Sequence, residues 1–489
     1  MKKTLPILSA VCAAAALMFS ACSGGSTYTG AASGSTGEGK TEESSEEGTE
    51  SSSTGGANTS ATTASKTIKL SDEPTGFASL VYSGTPSSYT VVTVSNRQDL
   101  ITKAKLGNHV IYVDGMIDMT NTGSGTMIPS TAGGTTAALD AFVAAQSTTT
   151  NYADYNSWRN TYVKACTTST NNNSSNKNNV INGDTWTLNE AYKKVVQIDI
   201  ASNTIIIGKT SDSGTIGGSF NIGKSGETRS NIIIRNMTIQ DAYDPFPHHE
   251  ADDGYNAERD GLVIQQDTAG IWIDHCTFKD TKTVSHVYTG ATSDSDVING
   301  GSGTDEKWQT YDGLLDIKGT ASGVTISNCK FMNHDKSLFL CSEISDTGTK
   351  NITFDHNYFY GTKQRLPMVG HANLHTYNNY FSDGDGTYTN DYAIGLRYAA
   401  QVVSENNYFT DYVKYSYKNL GSLTGKLYKS GDNDNSSSGV QNDAALTSCT
   451  TTTRSDLFAI TYDYTLDTAS TLPTLITANA GAGKWAVEQ

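Results

Sequence analysis

Three aspartates beside glycine and aliphatic residues are the side chains of this sequence best suited to binding a cation. Asp312 and Asp316 belong to the stretch Asp312-Gly-Leu-Leu-Asp-Ile317, and the upstream stretch Asp260-Gly-Leu-Val-Ile264 is a near copy of its beginning. If both stretches occupy the same place in successive coils of a repeating fold, three carboxylates converge on one spot. Carboxylate oxygens without nearby His or Cys suit Ca²⁺ better than zinc or copper. Asp before Gly is also a common turn signal, which is the ordinary interpretation of either stretch alone.

Two positively charged residues occupy equivalent places in the segments that follow. Aligning Lys336-Ser-Leu-Phe-Leu340 and Arg365-Leu-Pro-Met-Val369 with the Asp-Gly stretches places Asp260, Asp312, Lys336 and Arg365 at one position of four coils. Because stacked strands lie ~4.8 Å apart, these side chains should form a ladder on one outer edge. Asp316 joins it, since residues four apart on a strand face the same way. Exposed charges along a β edge usually only keep it soluble, and that remains the alternative for any one of them.

A nine-residue signature recurs along the chain and supplies the elements that would position these charges. Each copy alternates apolar residues, has a polar residue at the sixth place and an apolar or aromatic one at the ninth. The sixth-place residues are Asn236, His275, Asn328, His356, Asn378 and Asn406. Their shortest spacing, 22 residues (378 − 356), matches one coil of a solenoid. Asn at a repeated bend tolerates unusual backbone angles and can hydrogen-bond to the next copy.

The repeat predicts an all-β fold, a right-handed parallel β-helix with long loops. A β-sandwich with several similar hairpins is the alternative, although sandwich strands do not normally share such a signature. Weaker copies lie at residues 108–114 and 202–208, and a long insertion at about 120–195 contains a helical stretch near Ala137 to Ala145. The periodicity fades after about Gly421, so residues 425–489 are expected to cap the end or pack along the side.

The start of the chain predicts export. Residues 1–21 combine Lys2 and Lys3 with an apolar run and resemble a bacterial lipoprotein signal, in which Cys22 would become the lipidated N-terminus. Ordinary secretion is the alternative, because Phe19 stands where that motif usually has an aliphatic residue. Residues 22–65 are rich in Ser, Gly, Thr and Glu, which predicts a disordered tether. The parallel β-helix domain would then occupy residues 66–489, anchored at the cell surface or outer membrane, or secreted.

Composition restricts the partners of the chain. Its net charge of −16 argues against nucleic acid and makes an acidic polymer a partner only if a cation bridges the two. The seven cysteines match no zinc pattern and are too sparse for a disulfide scaffold. No run after the signal approaches the ~20 apolar residues of a membrane span, so membrane contact would come only through a lipidated Cys22. We expect a monomer.

The residues from Asn231 to Phe409 resemble the central part of a pectate lyase of polysaccharide lyase family 1, a parallel β-helix family. The matching motifs are Trp272-Ile-Asp-His275, Asp312-Gly-Leu-Leu-Asp-Ile317, His334-Asp-Lys336, Arg365-Leu-Pro367 and His375-Thr-Tyr-Asn-Asn-Tyr380. The resemblance implies that Asp260, Asp312 and Asp316 are calcium ligands. It also implies that Lys336 binds a substrate carboxylate and that Arg365 is the catalytic base.

The implied reaction is β-elimination in α-1,4-linked galacturonan, the backbone of polygalacturonate and pectin, which yields 4,5-unsaturated products. The sequence departs from the family motif Arg-x-Pro-x-x-Arg at Gly370, where the second arginine would grip substrate. Arg397 on the next coil is our candidate replacement. His275 and His356 are interpreted as structural bend residues.

Three other functions stay open from the sequence. Gly370 leaves room for a calcium-independent pectin lyase acting on methyl-esterified substrate, although the aspartates argue against it. A polygalacturonase-type hydrolase would need clustered acid and base carboxylates. The last alternative is a non-catalytic β-helix that only binds polysaccharide.

Overall fold

The structure is a computed structural model that describes most of residues 66–488. Within that range it leaves out residues 86–87, 131–133, 169–179, 224–225, 251–253, 282–296, 301–303, 341–347, 349, 422–424 and 435–449. The predicted signal, the tether and Cys22 therefore lie outside the described residues.

Three parallel sheets form the sides of a coil that winds through the described chain. The eleven-stranded sheet contains Thr90–Val94, His109–Val113, Thr204–Gly208, Arg229–Arg235, Thr268–Asp274, Ser322–Ser327, Lys350–Asp355, Ala372–Tyr377, Gln401–Glu405, Lys426–Ser430 and Thr450–Thr451. The nine-stranded sheet contains Met116–Asp118, Gly214–Ile216, Thr238–Gln240, Thr277–Lys279, Lys330–Met332, Tyr358–Tyr360, Tyr380–Ser382, Tyr408–Phe409 and Asn433–Asp434. The eight-stranded sheet contains Gln197–Asp199, Ser219–Ile222, Leu262–Ile264, Leu315–Ile317, Leu338–Leu340, Met368–Val369, Ile394–Leu396 and Tyr417–Asn419. The predicted parallel β-helix is confirmed.

The aromatic residues at the ninth place of the signature stack inside the coil. The rings of Phe278, Phe331, Phe359, Phe381 and Phe409 follow one another with centroid separations of 5.1, 5.2, 4.6 and 4.5 Å. All five belong to one buried apolar core, because each coil can cover its inward side chains only with those of its neighbours.

The sixth-place residues form the bends after the strands of the eleven-stranded sheet. All six have left-handed backbone angles, with φ between 50° and 55°. Asn tolerates this conformation better than most residues, which explains its recurrence there. The continuous hydrogen-bonded ladder, however, is formed by the residues that follow the sixth place, Asn357, Asn379 and Asn407. The sequence pattern did not predict a ladder at this position. The backbone N–H of Asn357 donates to the side chain of Asn379, and that of Asn379 to the side chain of Asn407, each at 2.9 Å.

The long insertion is more helical than the sequence predicted. It contains helices Ala137–Ala144, Tyr155–Thr168 and Val180–Val196, the first of which matches the expected helical stretch. Aromatic side chains of this insertion pack with Phe246, Tyr255 and Trp308 in a second buried cluster. Two short antiparallel pairs lie further along the chain: His248–Glu250 with Gly254–Asn256, and Val297–Gly300 with Thr304–Lys307.

The two ends of the coil are finished differently. At the first, helix Arg97–Ala104 follows the edge strand Thr90–Val94 and buries Leu100, Ile101 and Ala104 in the main core. The short helix Gly76–Ser79 instead packs on the middle of the eleven-stranded sheet, against strands Thr268–Asp274, Ser322–Ser327 and Lys350–Asp355. At the other, Lys426–Ser430 and Thr450–Thr451 extend the eleven-stranded sheet beyond the point where the sequence periodicity fades.

The C-terminal segment packs along the side of the coil, which is one of the two arrangements expected from the sequence. It contains the short helices Arg454–Asp456 and Ala469–Thr471 and the helix Leu472–Asn479, which packs beside Tyr358. Strand Ala486–Val487 then pairs with Thr67–Ile68. No helix of the described chain is long and apolar enough to cross a membrane.

Candidate active site

The charged residues singled out above lie on or beside five neighbouring strands in the middle of the eight-stranded sheet, from Leu262–Ile264 to Ile394–Leu396. Their register differs from the expected one. Leu262 pairs with Leu315, which places Asp260 opposite Gly313 rather than Asp312. The predicted alignment of the two aspartates is therefore wrong by one residue. Asp316 pairs with Phe339, and Lys336 forms a bridge to Gln364, the residue before Arg365.

Gly313 makes room for two carboxylates. A Cβ added to this glycine would lie 2.8 Å from Oδ1 of Asp260 and 2.8 Å from Oδ1 of Asp316, closer than real Cβ atoms approach other atoms. Its backbone N–H donates to Oδ1 of Asp260 at 2.8 Å. The near absence of a side chain thus lets two buried aspartates converge on one point.

Burial and mutual repulsion make both carboxylates difficult to ionise. Burial, followed by the charge of Asp316, raises the pKa of Asp260 to about 8. Burial also raises the pKa of Asp316, although the ammonium of Lys318 opposes that rise. Two acidic groups held this close in a desolvated place favour a compensating positive charge.

Asp312 is held apart from this pair by Lys336. The ammonium Nζ of Lys336 lies 2.9 Å from Oδ1 of Asp312 and donates to Oε1 of Gln309 at 2.9 Å. Burial acts to raise the pKa of Asp312, but the charges of Lys336 and Lys318 bring it below its ordinary value. The structure therefore brings two of the three aspartates together, with the third beside them and already paired.

Arg365 and Arg397 lie beside the same aromatic ring, that of Phe339. The guanidinium carbon of Arg365 lies 5.0 Å from the ring centre of Phe339, and that of Arg397 lies 4.6 Å from it. Arg365 has a left-handed backbone with φ of 61°, which is uncommon for a residue with a side chain. Its charge also acts on the pKa values of both Asp312 and Asp316. The five residues predicted to act together, and Arg397, thus share one site.

Comparison with known proteins identifies this arrangement. The family model described as pectate lyase matches residues 116–485. The chain belongs to the pectate lyase family. It is 34% identical over 317 residues to pectate lyase D of Dickeya chrysanthemi, covering 62% of this chain and 75% of that protein. It is also 35% identical over 227 residues to a pectate lyase of Bacillus subtilis strain 168, covering 44% of this chain and 49% of that one.

Solved structures of pectate lyases share the fold. One bound to a hexasaccharide has a TM-score of 0.62 at 25% identity, covering 84% of this chain and 97% of that one. The pectate lyase from Acidovorax avenae subsp. citrulli has a TM-score of 0.69 at 24% identity, covering 89% of this chain and all of that one, which supports the fold alone. The chain is therefore a polysaccharide lyase with the predicted parallel β-helix.

The donor atoms of this pectate lyase fit a hard cation at the Gly313 position. Across the described residues, no three Asp, Glu, His or Cys side chains form a cluster that could hold a metal ion by themselves. Asp260 and Asp316 nevertheless offer converging carboxylate oxygens with excess negative charge, which is the donor chemistry that Ca²⁺ prefers. Further ligands would have to come from Asp312, from substrate or from water.

Two functional contacts of the site went unrecognised in the sequence. Lys318 lies between the carboxylates of Asp260 and Asp316, at 3.3 and 2.8 Å. It stands two residues after Asp316, so the alternation of a strand predicts the same facing and would have revealed it. His334, which the sequence showed only as part of a motif, contacts Asp280 through Nδ1 and the backbone oxygen of Asp312 through Nε2. It therefore stabilises the turn that carries Asp312.

The two histidines interpreted as structural lie elsewhere. His275 and His356 occupy bends after strands of the eleven-stranded sheet, where Nδ1 of each contacts the preceding aspartate, Asp274 or Asp355. These contacts agree with a structural role.

Proposed function

We propose that this protein is a calcium-dependent pectate lyase that cleaves α-1,4-linked galacturonan by β-elimination and releases 4,5-unsaturated oligogalacturonates. The gathering of Asp260, Asp316, Lys336 and Arg365 on or beside four neighbouring strands of the eight-stranded sheet carries the proposal. Polygalacturonate and the less esterified parts of pectin are the expected substrates, since their carboxylates match the positive charges of the site.

Arg365 is the proposed base. It would take the proton from C5 of a galacturonate, after which the bond between C4 and the glycosidic oxygen breaks, a double bond forms between C4 and C5, and water protonates the departing oxygen. Phe339 lies against the guanidinium and limits its freedom, so the reactive nitrogen is positioned before substrate arrives. Since guanidinium groups keep their proton at neutral pH, we expect the rate to rise toward alkaline pH. A pH–rate profile that peaks below neutrality contradicts this role.

Lys336 and Arg397 are the proposed substrate-binding residues. Removing the C5 proton places additional negative charge on a group that already carries a carboxylate. The Lys336 ammonium, oriented by Asp312 and Gln309, would stabilise that charge as it develops. Arg397 shares the Phe339 ring with Arg365, which supports it as the source of the carboxylate contact that Gly370 cannot make.

Asp260 and Asp316, with Asp312 beside them, are the proposed calcium ligands. A bound Ca²⁺ would bring the uronate carboxylate to an acidic protein and withdraw charge from it. The two aspartates would hold this ion, and the missing Cβ of Gly313 lets their Oδ1 atoms converge.

Absorbance of the unsaturated product in the ultraviolet tests the reaction directly. We expect the wild-type protein to release it from polygalacturonate with Ca²⁺, and EDTA to abolish release. Arg365→Ala should lower the rate about a thousandfold. Arg454→Gln is the matched control, because its guanidinium lies over Phe458 in the C-terminal segment.

The other outcomes of this assay select the alternatives. Activity on methyl-esterified pectin that survives EDTA indicates a pectin lyase. Reducing ends without ultraviolet absorbance indicate a hydrolase. Binding to polygalacturonate without cleavage indicates a non-catalytic protein.

We also propose that the protein is exported and lipid-anchored through Cys22, as the signal-like residues 1–21 suggest. Labelled palmitate should be incorporated by the full chain in a bacterial host and not by Cys22→Ser. Equal labelling of both, or none of either, contradicts the anchor.

A further inference from the structure

Lys318 occupies the carboxylate oxygens on which the proposed calcium site depends. Its Nζ lies 3.3 Å from Oδ2 of Asp260 and 2.8 Å from Oδ2 of Asp316. The two aspartate side chains are 2% and 6% exposed, whereas that of Lys318 is 28% exposed. A single ammonium that is partly open to solvent thus bridges two carboxyl groups that are almost completely buried, and it balances the charge of only one of them.

The backbone of Lys318 is held in the sheet, whereas its side chain is partly exposed and can move into solvent. Its backbone N–H donates to the carbonyl of Ile264 at 2.8 Å, which extends the pairing of the sheet by one residue. The flexible four-carbon side chain can therefore move toward solvent while the backbone stays in the sheet.

We propose that Lys318 is a built-in competitor of calcium that must withdraw from Asp260 and Asp316 before the ion can bind. This inference rests on the proposed calcium site and explains how two buried carboxylates remain close together before the ion arrives. An ammonium and a divalent cation repel each other at such distances in a poorly solvated place, so both cannot share these oxygens. The lysine thereby stabilises the folded protein at low calcium and weakens its affinity for the ion.

Lys336 is a poor candidate for the same role. It contacts Asp312 and Gln309, and Asp312 stands outside the converging pair. Lys318, by contrast, contacts both members of that pair, Asp260 and Asp316.

Calorimetric titration of Ca²⁺ into EDTA-treated and dialysed full-length protein tests the competition without measuring activity. We expect Lys318→Met to lower the calcium Kd about tenfold, because the ion no longer displaces a charge. The same variant should melt several degrees lower in EDTA, and added calcium should restore more of its Tm than in the wild type. Lys318→Arg, which retains the charge, should keep the wild-type Kd or weaken binding.

Lys209→Met is the matched control, since Lys209 has similar exposure, 29%, and pairs with the single carboxylate of Asp114 at 3.0 Å. It should leave the calcium Kd unchanged. If Lys318→Met does not fold, Lys318→Gln provides the same comparison with a polar side chain.

The outcomes separate this inference from the proposed function. If the wild type binds calcium and Asp316→Asn does not, the calcium site is retained. If Lys318→Met then binds calcium with unchanged or weaker affinity, the competition is overturned. Absence of calcium binding by wild type and all variants overturns both.

Discussion

Two sets of polar side chains follow the coils of this protein, one inside and one outside. Inside, Asn357, Asn379, Asn407 and Asp432 each accept a hydrogen bond from the backbone N–H of the corresponding residue one coil earlier, at 2.7 to 2.9 Å. Outside, the corresponding coils carry different charges, and Asp260 and Asp316 repel each other. A repeated polar group is satisfied by its own copies, whereas an unrepeated set of charges needs a partner from elsewhere. The inner ladder (Asn357, Asn379, Asn407 and Asp432) therefore supports stability. The outer row (Asp260, Asp316, Lys336, Arg365 and Arg397) supports binding.

The largest expected effect comes from breaking the inner ladder. Asn379→Ala removes the acceptor for both the backbone and the side-chain N–H of Asn357, which are buried. We expect the free energy of unfolding to fall by about 3 kcal/mol, measured by urea denaturation. Asn373→Ala, which removes a single partly buried contact to Asn351, should cost less than about 1 kcal/mol. Similar losses for the two variants would contradict the distinction.

The end of the same ladder predicts a dependence on pH. Burial raises the pKa of Asp432 to about 6, although hydrogen bonds from Tyr417 and Asn407 oppose the rise. Because the folded protein holds this proton more tightly than the unfolded chain, the stabilisation is complete below the ordinary carboxyl pKa, about 4, and disappears as pH rises through 6. The loss of unfolding free energy between pH 4 and pH 7 should be about 2 kcal/mol smaller in Asp432→Asn than in the wild type. Equal pH dependence in both would show that Asp432 does not titrate in this way.

The outer row should respond in binding rather than in stability. Gly313→Ala places a methyl group 2.8 Å from oxygens of both Asp260 and Asp316, so the carboxylates must separate. We expect calcium affinity to fall about tenfold while the Tm in EDTA changes little, because separating like charges offsets the strain. Calorimetry and thermal melting check the two halves of this prediction. A large loss of Tm with unchanged affinity would place Gly313 among the residues that only stabilise the coil.

The smallest expected effect lies at the far end of the outer row. Arg397→Gln removes one charge that would meet a substrate carboxylate, so KM for polygalacturonate should rise about fivefold with kcat within about twofold. Arg454→Gln should leave both constants unchanged. A drop in kcat with constant KM would instead place Arg397 in the chemical step.

The sequence predicted the coil well because the recurring signature records contacts between copies. The ninth-place phenylalanines stack in five copies, and the sixth-place residues adopt left-handed bends in all six. The register at Asp312 was missed by one residue because Asp-Gly begins both stretches, and matching letters could not show that Leu262 pairs with Leu315. The helices of the insertion were mostly missed, since they are held by aromatic packing rather than by the repeat.

The site was predictable as a group of residues and not as a set of contacts. The spacing of the repeats predicted that Asp260, Asp316 and Arg365 lie together on neighbouring coils. It could not show that Lys336 would pair with Asp312. That pairing depends on the turn before Leu315, whose carbonyl at Asp312 is held by His334. Such side-chain choices are made by neighbours from distant parts of the chain, and alternation along one strand does not encode them.

Helix Arg97–Ala104 at the first end of the coil has a consequence for assembly. A solenoid of parallel strands ends in unpaired backbone groups and an open apolar interior, a surface onto which another solenoid could stack. The helix buries Leu100, Ile101 and Ala104 in that opening. It therefore covers apolar surface onto which a second solenoid could otherwise stack. At this end of the coil, a segment that does not repeat therefore covers the last repeat.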